Sequence, residues 1–198
     1  MATWSNSASM SNIVYFVASS LDGYIADSDR SLEWLTSIEG APEEITSSFI
    51  STVGVQVMGS RTYEWLLENE NILSHPEKWS QFFGEMKTVV FSSRSLPAPE
   101  MADIAFVDGS PAEHVDEITT RAGDKNIWLV GGGQLASQFL AANLIDRLEI
   151  TYAPVVLGGG VKLFGDLSDF VRVDIRETLP SGNFIHVKCD VSLTSSGT

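Results

Sequence analysis

Ile127-Trp-Leu-Val-Gly-Gly-Gly-Gln-Leu-Ala-Ser-Gln-Phe-Leu140 carries the reading of the fold, because strand-like apolar residues run through three consecutive glycines directly into a helical pattern. Leu135, Phe139 and Ala142 recur at helical spacing, which holds that helix against a sheet. Gly131, Gly132 and Gly133 let the backbone turn sharply and approach a ligand, and the amides opening the helix are unpaired at its positive dipole end. The segment reads as a phosphate cradle, with a pyrophosphate on a first turn that includes Gln134 and Leu135. Tight helix packing is the other use of such a turn. Gly131, Gly133 and Ala136 also fit the loose pattern G-x-G-x-x-A, with Glu149 near the spacing of a ribose-binding acid. That pattern opens the first βαβ unit of a doubly wound domain, whereas here too little chain follows for a second half. The match is read as coincidence.

Outward from this segment, strand patterns alternate with helical ones. Strands are expected at residues 13–19, 55–58, 88–91, 104–107 and 126–130, and helices at 42–53, 61–70, 111–122 and from 134 onward. Three strand patterns close the chain at 147–155, 170–178 and 183–193, the last two as a hairpin across Pro180-Ser-Gly182. This order predicts an α/β fold: a mixed, mostly parallel sheet with helices on both faces and a C-terminal antiparallel hairpin.

The chain has 198 residues, 43% of them hydrophobic, which suits one domain over residues 12–193 with loose ends at 1–11 and 194–198. The Ser- and Asn-rich start lacks the basic and apolar regions of a signal peptide, and no apolar run reaches membrane-span length. A single cysteine, Cys189, excludes an intrachain disulfide and fits a reducing cytoplasm. His75, His114 and His186 are scattered, so no metal site is expected. The net charge of −14 argues against a nucleic-acid surface, yet leaves room for an anionic cofactor if the twelve basic residues are well placed.

Two of those cations follow strand ends. Arg61 comes after Val55-Gln-Val-Met-Gly-Ser60 and before Thr62, and Arg94 comes after Thr88-Val-Val-Phe-Ser-Ser93. Arginine beside hydroxyls grips a phosphate monoester through charge-assisted bonds, so Ser92, Ser93 and Arg94 are candidates for a 2′-phosphate; solvated turn chemistry is the alternative. A ribose phosphate site and a pyrophosphate site together are what NADPH requires.

Ala18-Ser-Ser-Leu-Asp-Gly-Tyr-Ile-Ala26, Met58-Gly-Ser-Arg-Thr62, Val89-Val-Phe-Ser-Ser93, the Gly131–Gly133 loop and Ala153-Pro-Val-Val-Leu-Gly-Gly-Gly160 occur in the order seen in the dihydrofolate reductase-like superfamily. The chain resembles its riboflavin-biosynthesis reductase branch over residues 12–193, and Ser31-Leu-Glu-Trp-Leu-Thr36 resembles the tryptophan segment of that branch. The resemblance implies that Ala18, Ile25 and Trp34 surround a nicotinamide. It further implies that Gly59, Arg61 and Thr62 meet phosphate at a helix start, that Ser92 to Arg94 hold the adenosine end, and that Gly131 to Leu135 wrap the pyrophosphate. A cis peptide between Gly131 and Gly132 comes with it.

The departures concern the substrate. Leu32 stands where the branch has a small hydroxyl residue, and no Lys or Arg lies between Arg30 and Arg61, where Glu33, Glu39, Glu43 and Glu44 make the stretch acidic. A phosphorylated substrate held there would be repelled. Hydride transfer also needs a proton source; Asp22 and Glu33 are the candidates, against a turn role for Asp22 before Gly23 and a solvated helix-start role for Glu33. Trp65, Trp79 and Trp128 read as packing residues, and Leu157 to Gly160 as a turn between strands near a subunit contact. The resulting expectation is a cytoplasmic, homodimeric NADPH-dependent reductase of a small heterocyclic or carbonyl substrate. Dihydrofolate reductase proper and a nucleotide-binding module without turnover are the alternatives.

Overall fold

A computed structural model describes residues 11–192, so most of the two expected loose ends lies outside the described residues. Its frame is an eight-stranded sheet built from β1 (Ile13–Ser20), β3 (Val53–Gly59), β4 (Lys87–Phe91), β5 (Ile104–Val107), β6 (Asn126–Gly131), β7 (Arg147–Ala153), β9 (Val173–Ser181) and β10 (Phe184–Val191). The order across the sheet is β5-β4-β3-β6-β1-β7-β10-β9. The first six strands run parallel, while β10 is antiparallel to both of its neighbours. Two short strands, β2 (Tyr24–Ala26) and β8 (Val161–Lys162), pair separately.

The central strands are apolar at nearly every position because both faces are covered. On one face, Tyr15, Val55, Val57, Val89, Ile127 and Leu129 pack with Ile118 and Ala122 of α5 (Pro111–Ala122) and with Leu135, Ala136, Phe139 and Leu140 of α6 (Gly133–Ala141). On the other, Val14, Phe16 and Val53 meet Phe49 of α2 (Glu43–Ser51), with the Phe16 and Phe49 rings stacked at 4.2 Å. Further along that face, Met58 and Val90 pack with Tyr63 and Leu67 of α3 (Ser60–Asn69) and Trp79 of α4 (Glu77–Phe83). The mixed sheet with its closing hairpin is therefore the architecture that the alternation of patterns implies.

Several boundaries differ from the sequence reading. The helix expected through residue 53 ends at Ser51, because Val53 joins the Phe16–Phe49 cluster and Thr52 accepts the Asn126 amide at 3.0 Å, drawing the chain into the sheet. An apolar run of mixed spacing does not reveal that switch. The strand expected from 170 begins at Val173, and its hairpin turns at Gly182 and Asn183. The strand expected through 155 ends at Ala153. A one-turn helix, α1 (Glu33–Thr36), together with α4, β2 and β8, is too short to leave a periodic signal. Trp79 is buried as expected, whereas Trp65 and Trp128 are half-buried.

Candidate functional site at the strand tips

Because six strands are parallel, their C-terminal tips share one rim of the sheet. Ser19 and Ser20, Gly59, Phe91, Val107, Gly131 and Ala153 all end strands there. The rim of such a sheet is where ligands enter α/β folds. Thus the triple-glycine bend and the two arginine-bearing tips lie on the same edge, as a shared groove requires.

Three helices start at this rim, and their caps differ. The N-terminus of α5 is closed by a capping box: the Ser110 hydroxyl and backbone amide both meet the Glu113 carboxylate, at 2.8 and 2.6 Å. Here α5 satisfies its own first turn. By contrast, α3 is capped by Gly59 and α6 by Gly132, and neither has a side chain to occupy its first-turn amides. These two open ends face each other. Cβ atoms built on Gly131 and Gly132 would lie 3.9 and 3.7 Å from Thr62 Oγ1, so the α3 hydroxyl and the glycine bend form two walls of one cleft. The Gly131–Gly132 peptide is cis, as the resemblance implies. Two helix dipole ends with free N–H groups and a hydroxyl make a site for a polyanion.

Behind the bend, α6 is pressed against β8. A Cβ on Gly133 would sit 2.1 Å from the Lys162 carbonyl oxygen and 2.9 Å from that of Leu163. Gly133 therefore serves close backbone packing, the role left open beside the ligand role. The Gly165 amide donates to the Gly133 carbonyl at 3.0 Å and the Tyr15 hydroxyl to the Leu163 carbonyl at 2.9 Å, which pins this crossing to the central strand.

Beside the cleft, the floor opens. Although β1 is an interior strand, Val17 and Ala18 are half-exposed, and on the adjacent strand so is Val130. Val14 pairs in register with Trp128, so Ala18 and Val130 belong to the Phe16 face of the sheet. An uncovered patch on an otherwise buried strand is a place for a flat ring, in keeping with the Ala18 expectation. Ile25 in β2 packs half-buried against the main core. Trp34 in α1 is half-buried, and its indole nitrogen is enclosed without a partner. A buried N–H left unpaired is a donor awaiting an acceptor.

The two carboxylates have different fates. Asp22 accepts the Ser20 hydroxyl at 2.7 Å and the amides of Leu157 and Gly158 at 3.0 and 2.7 Å. The Ser20 hydrogen bond, aided by the two amides, pulls its pKa down to about 2. Asp22 thus takes the turn role expected as the alternative to proton donation, and it ties the β1–β2 turn to the Leu157–Gly160 turn between β7 and β8. Glu33 is exposed at the start of α1, with no side-chain partner among the described residues.

At the β4 tip, the Ser92 hydroxyl accepts the Arg94 amide at 3.0 Å and donates to the Arg94 carbonyl at 2.8 Å, so it makes the turn; Ser93 is exposed. The Arg94 guanidinium is engaged by Glu64 of α3 through two bonds of 2.8 and 2.7 Å and approaches the Ser60 hydroxyl at 3.4 Å. Arg61 is exposed and, among the described residues, makes no side-chain hydrogen bond or ion pair. Glu64 and Val130 carried no signal in the sequence, since each matters only through what tertiary packing sets beside it. Glu149 lies buried in mid-strand, 3.4 Å from His186 Nε2, so the G-x-G-x-x-A match is a coincidence.

Residues 11–187 match the family described as RibD C-terminal domain. YwjB of Bacillus subtilis, an uncharacterized protein, is 28% identical over 174 residues, which is 88% of this chain and 94% of YwjB. A putative riboflavin biosynthesis protein from Shewanella sp. PV-4 superposes with a TM-score of 0.76 at 26% identity, covering 92% of this chain and 99% of that one. Dihydrofolate reductase from Enterococcus faecalis, complexed with NADP(H), superposes with a TM-score of 0.59 at 16% identity over 92% of this chain and 97% of that one, and so shares the fold. No helix among the described residues is long and apolar enough to cross a membrane.

Proposed function

The chain belongs to the RibD C-terminal domain family, and on that premise we propose that it is an NADPH-dependent reductase of a small heterocyclic or carbonyl substrate. The observation that carries the proposal is the cleft between α3 and α6, where two glycine-capped helix starts, Thr62 and the Gly131–Gly132 bend converge. In this reading Gly59, Arg61, Thr62 and Gly131 to Leu135 hold the pyrophosphate. Ser93 and Arg94 hold the ribose phosphate, with Ser92 shaping their turn. Ala18 and Val130 form the floor under the nicotinamide, beside Ile25 and Trp34. When bound, the coenzyme supplies a hydride.

The protein's own tasks are orientation, exclusion of water and delivery of a proton. Holding donor and acceptor carbons at about 3–3.5 Å is the largest of these contributions. In this reading Trp34 is a wall of the ring pocket, and its enclosed indole N–H reaches a substrate only if the side chain turns. With Asp22 fixed as an anion, Glu33 is the remaining candidate donor. The exposed Glu39, Glu43 and Glu44, in a stretch without cations, favour a substrate that carries no phosphate.

The assembly is proposed to be a homodimer, and the site to work in the cytoplasm. Val173, Ile175 and Ile185 are exposed on the outer strands, and β10 and β9 register puts the first two beside Val191 and Cys189 on the α6 side of the sheet. A contiguous apolar face of that kind is suited to a second copy.

The test is NADPH oxidation followed with pyrimidine, pterin and quinone compounds, alongside direct titration of NADPH and methotrexate. Substrate-dependent oxidation without tight methotrexate binding is expected. Tight methotrexate binding moves the assignment to dihydrofolate reductase proper. Coenzyme binding with no compound reduced moves it to a nucleotide-binding module, and no coenzyme binding refutes the reading.

A further inference from the structure

Resting on the coenzyme reading above, we propose that Glu64 is a resident competitor for the 2′-phosphate and sets the balance between NADPH and NADH. Three of the chain's twelve basic residues act on this one carboxylate. Arg94 grips it with both arms of its guanidinium, and the fields of Arg30 and Arg61 also act on it. In a chain of net charge −14, such a concentration of positive charge is a local anion site, and Glu64 already fills it.

The geometry fits substitution of one anion for another. A guanidinium fork presents two parallel N–H bonds, which match a carboxylate or two phosphate oxygens equally well. Glu64 uses that fork at 2.7 and 2.8 Å, while Ser60 Oγ lies 3.4 Å from the same guanidinium. Both partners are accessible, with Arg94 57% and Glu64 32% exposed, so neither is locked by burial and the exchange needs only side-chain rotation. Glu64 also stands one turn into α3, above Ser60 at the glycine-capped start that already belongs to the pyrophosphate cleft. The Arg94 guanidinium reaches back to Ser60 at that start, so the ion pair borders the cleft.

The pair serves the two coenzymes differently. A 2′-phosphate must displace the carboxylate and then lie near its negative charge. A 2′-hydroxyl has no need to displace it, because it donates to Glu64 while the ion pair stays closed. Glu64 thus weakens NADPH without weakening NADH, which narrows the preference that Arg94 alone would create.

The experiment titrates NADPH and NADH against wild type, Glu64→Gln, Arg94→Ala and the double variant by intrinsic tryptophan fluorescence. Melting temperatures are recorded in parallel. Glu64→Gln is expected to tighten NADPH by roughly five- to tenfold, the scale of an exposed charge pair plus relief of repulsion, with NADH changed less than about twofold. Arg94→Ala weakens NADPH more than NADH and abolishes the gain from Glu64→Gln in the double variant. A purely structural ion pair gives another pattern: Glu64→Gln shifts both coenzymes together, or weakens NADPH, and either result overturns the proposal. Failure of wild type to bind either coenzyme overturns the coenzyme reading itself, and this inference with it.

Discussion

Replacing Gly133 with Ala tests how tightly the triple-glycine bend is built into the fold. The added Cβ would lie 2.1 Å from the Lys162 carbonyl oxygen and 2.9 Å from that of Leu163, and both obstacles are backbone atoms. Contacts below 3.0 Å are not tolerated, so either α6 or the β8 segment must move by about an ångström, and overpacking of this kind costs about 1–3 kcal/mol. The bond from the Gly165 amide to the Gly133 carbonyl is lost or stretched with it, costing about another 1 kcal/mol. Reduced freedom of the unfolded chain returns about 0.4–1 kcal/mol, because Ala replaces Gly. The net loss is about 2 kcal/mol, which for a chain of this length lowers Tm by about 4–8 °C. Gly59→Ala is the control, since its Cβ meets nothing within 4 Å; the weaker cap and the stiffer unfolded chain then nearly cancel. Differential scanning calorimetry of both variants supplies the comparison. If Gly133→Ala melts with wild type, the close crossing of α6 and β8 is wrong, and with it the argument that the bend is held from behind.

Two further outcomes follow from the geometry. Asp22 is held at about 2 against an ordinary 3.8, so its bonds to Ser20, Leu157 and Gly158 stabilise the fold above pH 4 and are lost as the pH falls from about 4 to about 2. Asp22→Asn should therefore melt below wild type at pH 7 and converge on it in acid, while reductase activity keeps its pH profile near neutrality. A constant gap in Tm across pH, or a lost protonation limb in kcat, would contradict the turn-clamping role. For the outer strands, sedimentation of wild type should give a dimer and Ile175→Asp a monomer, because a charge there must be desolvated on pairing. A monomeric wild type removes the homodimer.

Legibility in the sequence tracked the range of the interactions concerned. The strands at Val55–Val57, Thr88–Phe91 and Ile127–Leu129 announce themselves as apolar runs interrupted only by Gln56 and Thr88, because each is covered on both faces. The helix over Pro111–Ala122 was legible from its pattern, and the structure adds the cap that Ser110 and Glu113 form at its start. Short pieces such as α1 and β8 were invisible, since a single turn or a two-residue strand has no period to detect. Among the candidate site residues, the glycines of the bend were legible because strand-to-helix turns expose amides whatever the rest of the chain does, whereas the role of Thr62 came from the resemblance. The clamp made by Asp22 was not legible, because two of its partners, the amides of Leu157 and Gly158, lie some 136 residues away.

From the sequence alone came the parallel α/β frame, the triple-glycine bend and the cations at strand tips, because each rests on local backbone conformation or on the periodicity of burial. Tertiary structure alone decided which tips share a cleft, that α5 is closed while α3 and α6 are open, and that Arg94 meets Glu64 across 30 residues of chain. Strand order is set by packing between distant segments, and the charge and hydrogen-bonding state of a side chain is set by whatever that packing places within a few ångströms of it.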